Sequence, residues 1–225
     1  MDAARLSFVP GDPVTGPLVP GEFPLGIGVG KDGLVYVPDT AVEGAPLMVF
    51  LHGAGGTGRR EMRVWLAAAD RYGAVVMAPD SRDGSWDVIH GGFGPDVSFL
   101  DQALAAVAEQ YPVDLTRMAL AGVSDGASYA LSIGLANGDL FPSVVAYSPG
   151  FIVAAEPVGR PRVFISHGTS DPILPIDGCG RPIARGLAGA GFDVTFREFD
   201  GGHTVPPPIA DAGFAWWLSP AGGGD

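Results

Sequence analysis

Apolar residues in this chain gather in short, nearly unbroken runs. Residues 47–51 and 74–78 carry no charged or hydrogen-bonding side chain, and 118–123, 144–147 and 163–166 come close to the same pattern. Runs of about five residues without alternation mark strands buried on both faces. Segments 34–37, ended by Pro38, and 194–199 add two further strands. Between the strands the pattern is helical. Residues 59–72 place Met62, Leu66 and Ala69 on one face, and helices are predicted at 96–111, closed by Pro112, at 126–136, ended by Asn137-Gly138, and at 209–218. Strands alternating with helices predict parallel βαβ units joined right-handed. The expected fold class is therefore α/β: one domain over 1–225, with a mostly parallel central sheet and helices on both faces. Residues 1–30, rich in Gly and Pro, are expected to wrap the sheet edge with short strands, and 219–225 to form a flexible tail. Chemistry in such sheets sits at the carboxyl ends of the strands.

Composition narrows the function classes. A 225-residue chain can bury a full core, and 47% hydrophobic with 17% charged residues is ordinary for a globular protein. The 35 glycines and 21 prolines are interleaved with apolar runs, so they read as turn residues. A net charge of −12 argues against nucleic acid and against anionic membrane surfaces, both of which recruit Lys and Arg. Cys179 is the only cysteine, so neither an internal disulfide nor a cysteine-based metal site is expected. The first ten residues lack a signal-peptide pattern and no apolar run approaches a membrane span. The chain as given is expected to be cytoplasmic.

The chemistry-bearing motif is Gly122-Val123-Ser124-Asp125-Gly126. At this glycine content chance supplies about 0.3 Gly-x-Ser-x-Gly matches, so the motif alone decides little. Its position decides more: it falls between the strand 118–123 and the helix 126–136, as a nucleophile elbow requires. A serine needs a general base, and the base needs a carboxylate. In elbow folds the chain order is Ser, then Asp or Glu, then His. His203, in the loop after the strand 194–199, is the expected base. His167 ends the strand 163–166 with no suitable acid before it. Asp171, in His167-Gly168-Thr169-Ser170-Asp171-Pro172, is the expected acid, with Asp177 and Asp200 as rivals.

The loop His52-Gly53-Ala54-Gly55-Gly56 follows the first buried strand and lacks the Lys of a phosphate-binding loop. It is expected to supply one oxyanion donor, the Ala54 N–H, beside the N–H of Asp125. His52 reads as a structural histidine holding this loop. Trp86, His90 and Phe93, in the irregular segment 81–95, and Ile173 and Val205, near the acid and base, are candidate pocket residues.

Together, Leu51-His52-Gly53-Ala54-Gly55-Gly56, Gly122-Val123-Ser124-Asp125-Gly126, His167-Gly168-Thr169-Ser170-Asp171 and Gly202-His203 resemble the phospholipase/carboxylesterase branch of α/β-hydrolases. Similar patterns occur in feruloyl esterases and polyhydroxyalkanoate depolymerases. The resemblance runs from about residue 34 to residue 218 and implies hydrolysis of carboxylic esters through an acyl-enzyme, without a cofactor. Acyl-protein thioesterases of this branch often have Gln after the nucleophile, where this chain has Asp125, so thioester specificity does not carry over. Only residues 148–160 separate the strand 144–147 from the next, too few for a cap domain. An open site for small or extended ester substrates follows. A thioesterase, lysophospholipase or polyester hydrolase would use the same three residues, and a catalytically inactive binding protein would need one of them broken.

Overall fold

The computed structural model describes residues 3–28, 30–153 and 155–220; of the tail expected at 219–225, residues 221–225 lie outside the described residues. The apolar runs form the centre of an eight-stranded sheet. Its strands are β1 (Gly21–Pro24), β2 (Gly33–Val37), β3 (Ala45–Leu51), β4 (Val75–Pro79), β5 (Val113–Val123), β6 (Ser143–Tyr147), β7 (Arg162–Gly168) and β8 (Val194–Phe199). Their spatial order is β1-β2-β4-β3-β5-β6-β7-β8. β1 and β2 are antiparallel to their neighbours, and every pairing from β4 across to β8 is parallel.

Every residue of β3 is buried because helices cover both faces of the sheet. Successive side chains of β3 point to opposite layers. Leu47, Val49 and Leu51 pack into the layer containing α3 (Pro95–Gln110) and α4 (Asp125–Ala136), with Leu100, Leu104 and Leu131. Met48 and Phe50 face α1 (Gly58–Met62), α2 (Leu66–Tyr72) and α6 (Pro207–Leu218), with Phe214 and Trp217. Burying each such side chain contributes roughly 1.5–3 kcal/mol, which is why these runs dominate the sequence.

Two helices depart from expectation. The single helix predicted at 59–72 is broken into α1 and α2 at residues 63–65. Trp65 sits at the break, fully buried, with its ring centroid 4.2 Å from Phe50 and 4.9 Å from Tyr147. Seating that large aromatic against β3 and β6 outweighs one turn of helix continuity. The sequence also conceals α5 (Gly180–Gly189), whose Gly180, Pro182, Gly186 and Gly189 read as turn residues. Its helical spacing survives in Ala184 and Leu187, both buried, and Ile183, packed against them.

The connection between β6 and β7 has no helix or strand of its own among its described residues. It is pinned to α4: the Gly150 N–H donates to Ser128 Oγ at 2.9 Å and the Val153 N–H to Ser132 Oγ at 2.9 Å. Among the described residues no separate cap domain covers the sheet. Among the described residues no helix is long and apolar enough to cross a membrane.

Candidate active site

The parallel strands end on one edge of the sheet, and the loops leaving β3, β5, β7 and β8 meet there. Ser124 joins β5 to α4 with φ 56° and ψ −120°, a left-handed conformation that an ordinary residue adopts only under strain. The turn is held by the Ser124 N–H donating to Tyr147 O at 2.9 Å and the Ser128 N–H donating to Ser124 O at 3.0 Å. It also depends on Gly126: a Cβ there would lie 2.1 Å from Leu51 O and 2.5 Å from His52 O. The missing side chain lets α4 start directly against β3, aiming its first-turn N–H groups toward Ser124.

Asp171 and His203 reach the same edge because their loops are joined by hydrogen bonds. The Thr169 N–H donates to Phe199 O and the Ser170 N–H to Gly201 O, each at 2.9 Å. The result is a continuous relay. His203 Nδ1 donates to Asp171 Oδ2 at 2.7 Å, and His203 Nε2 lies 2.9 Å from Ser124 Oγ, positioned to accept its proton. The Asp171 side chain is fully shielded, whereas that of His203 keeps 20% of its surface exposed. Burial opposes the Asp171 charge, but N–H donation from Leu174, His203 and Ile173 outweighs it and holds the carboxyl below its ordinary range.

The other candidates lie outside this relay. Asp177 is exposed and paired with Arg181 at 2.6 Å, and Asp200 is exposed. His167 is buried on the far side of Asp171, with Nε2 donating to Leu174 O at 2.7 Å. His52 is locked in the oxyanion-type loop. Its Nδ1 donates to Gly53 O at 2.7 Å, and its Nε2 accepts from the Ser81 N–H at 3.0 Å. Burial lowers its basicity most, with Lys31 acting in the same direction against the Gly53 carbonyl, Asp80 and Glu61. In that loop the Gly55 N–H donates to Gly84 O and the Gly56 N–H to Gly53 O. Those two amides are consumed, and Ala54 lies on the wall of the cavity beside Ser124.

That cavity holds about 460 Å³ and is walled by Ala54, Glu61, Val64, Ile173, Thr204 and Val205 around Ser124 and His203. Ile173 and Val205, expected near the acid and base, are among these lining residues. The segment 81–95 does not reach it. Trp86 is fully buried, donates from Nε1 to His52 O at 2.8 Å and stacks 5.2 Å from Tyr129. Phe93 rests against Tyr129 at 6.3 Å, and His90 is exposed at the end of a short 3-10 turn. An aromatic-rich irregular segment looks like a pocket in sequence, but here its rings brace the loop below the site. Glu61 and Val64, which also line the cavity, were not anticipated, because nothing in a helical pattern over 59–72 singles them out. Ser85 was also missed: its Oγ donates to the Asp125 carboxylate at 2.7 Å.

Comparison with known proteins places the chain among esterases. The Esterase family model matches residues 35–176, from β2 through the elbow and the Asp171 turn. The feruloyl esterase C of Emericella nidulans is 25% identical over 213 residues, covering 79% of this chain and 78% of that protein. The bifunctional acetylxylan esterase/xylanase of Neocallimastix patriciarum is 28% identical over 155 residues, covering 65% of this chain and 22% of that protein. Among solved structures, a CE1 ferulic acid esterase from Anaeromyces mucronatus superposes with a TM-score of 0.68 at 16% identity, covering 93% of each chain. A strand-to-helix serine on a mostly parallel sheet, within a family match spanning well over half of the sequence, places this chain in the Esterase family, as a carboxylic-ester hydrolase of the α/β-hydrolase fold.

Proposed function

We propose that the protein cleaves carboxylic esters through a covalent acyl-enzyme on Ser124, with His203 as base, Asp171 as acid and the Ala54 and Asp125 N–H groups as the oxyanion hole. The observation that carries this reading is the relay Ser124 Oγ, His203 Nε2, His203 Nδ1, Asp171 Oδ2, with contacts of 2.9 and 2.7 Å. Ser124 Oγ attacks the ester carbonyl as its proton passes to His203 Nε2. The carbonyl oxygen takes the negative charge, which the two N–H groups stabilise; each such donor is worth about 3 kcal/mol. The tetrahedral intermediate collapses, the ester C–O bond breaks, and His203 gives the proton to the leaving alcohol. Water, deprotonated by the same nitrogen, then releases the acid and restores Ser124.

The substrates proposed are small or extended esters: a short or aromatic acyl group on a hydroxyl-bearing alcohol. The names of the feruloyl and acetylxylan relatives support that class, as does an uncapped cavity flanked by Val64, Ile173 and Val205. Lys and Arg are absent from the residues lining this cavity, which disfavours anionic esters.

The test is turnover of 4-nitrophenyl acetate and methyl ferulate, together with labelling by a fluorophosphonate probe. Wild type is expected to hydrolyse both and to label once. Ser124→Ala should lose at least about 10³-fold in kcat and should not label. Undiminished turnover by Ser124→Ala would overturn the mechanism, and absence of labelling and turnover in folded wild type would favour a binding protein on this fold.

A further inference from the structure

The Asp171 carboxylate has an imidazole on each side, and only one of them reaches Ser124. His203 Nδ1 is 2.7 Å from Asp171 Oδ2 on the solvent side. On the buried side, His167 Nε2 is 3.3 Å from the same Oδ2 and 2.7 Å from Leu174 O. A carbonyl oxygen only accepts, so His167 Nε2 carries a hydrogen, shared between Leu174 O and Asp171 Oδ2. The other nitrogen, Nδ1, is buried with no hydrogen-bond partner. It lies against α5, where a Cβ on Gly180 would come within 2.5 Å of it. A hydrogen on Nδ1 would be a buried donor with no acceptor, so the surroundings select the Nε2–H form.

This arrangement fixes the whole acid turn. Leu174 donates its N–H to Asp171 Oδ1 at 2.9 Å, and its carbonyl receives the His167 hydrogen. Ile173 adds a second N–H to Oδ1, also at 2.9 Å. Oδ1 is therefore held by the backbone, and Oδ2 lies between two imidazoles. Rotation of the carboxylate away from His203 would strip donors from both oxygens. His167 is fully buried, so its hydrogen bond is shielded from bulk solvent.

We infer that His167 is a positioning residue: it clamps the 171–174 turn from beneath, so that Asp171 Oδ2 stays aimed at His203 Nδ1. The inference rests on the role proposed above for Asp171. It differs from a packing role in requiring a donor at one ring position. In side-chain connectivity, Gln places an N–H at the position of His Nε2, whereas Asn places it at Nδ1 and Leu supplies none.

The experiment compares His167→Gln, His167→Asn and His167→Leu with wild type and Asp171→Asn. It measures kcat and KM on 4-nitrophenyl acetate, active-site titration with a fluorophosphonate, and thermal unfolding. A loss of the imidazole from the core lowers Tm in all three His167 variants. If His167 positions Asp171, kcat per titrated site stays within about threefold of wild type in His167→Gln, and falls tenfold or more in His167→Asn and His167→Leu, with KM unchanged. Equal kcat per titrated site in the Gln and Asn variants overturns the inference, even if the Leu variant does not fold. Full activity of Asp171→Asn would instead overturn the underlying assignment of the acid, which separates the two failures.

Discussion

Ser85 Oγ donates a 2.7 Å hydrogen bond to the carboxylate of Asp125, the residue that follows Ser124 in the elbow. The bond ties the irregular segment after β4 to the first turn of α4. It also anchors a negative charge close to where the Asp125 N–H is proposed to meet an oxyanion. An anion free to swing toward that position would oppose the charge developing in the transition state.

Ser85→Ala should therefore lower kcat about three- to tenfold with little change in KM, equivalent to roughly 1 kcal/mol of transition-state stabilisation. Adding Asp125→Asn to Ser85→Ala should restore most of the loss, because the amide carries no charge. Steady-state kinetics of the two single variants and the double variant measure this coupling. No recovery in the double variant would mean that Ser85 acts through loop structure and not through the Asp125 charge.

Gly126→Ala tests the elbow as a packing element. Its methyl group would sit 2.1 Å from Leu51 O, within the backbone of the central strand β3, so relief requires α4 to move off the sheet. A loss of more than about 3 kcal/mol is expected, at the severe end for a single substitution. Urea denaturation would read it. A loss below about 1 kcal/mol would mean that the α4–β3 contact yields easily.

Acid stability depends on the sign of the carboxyl shifts. Asp171 has its folded-state acidity strengthened, so it contributes stability that is complete above the ordinary carboxylate range and is lost as pH falls through its lower folded-state value. Asp96 is shifted the other way, first by burial, so its burden eases on acidification. Comparing wild type with Asp171→Asn cancels the Asp96 contribution. The stability advantage of wild type should shrink as pH falls below about 4. An advantage that grew over that acid range would contradict the direction assigned to Asp171.

The chemistry lay close to the surface of the sequence. Uninterrupted apolar runs define strands buried on both faces, because only a sheet covered by helices removes the need for alternation. Once β5 and α4 were placed, the strand-to-helix position of Ser124 followed, as did the expectation that Asp171 and His203 stand at later strand ends. What the sequence could not convey were relationships set by packing between distant segments. Glu61 and Val64 line the cavity beside Ser124 from the segment around Trp65, whose indole seats against Phe50 and Tyr147. Trp86 and Phe93 resemble pocket residues until Tyr129 is seen beneath them. His167 reads as an unused rival to His203, and only the fold of the 171–174 turn puts it behind Asp171. Local pattern determined which residues lie at the carboxyl edge of the sheet. The directions their side chains take were decided by tertiary packing, since a hydrogen bond spanning many residues leaves no local period to read.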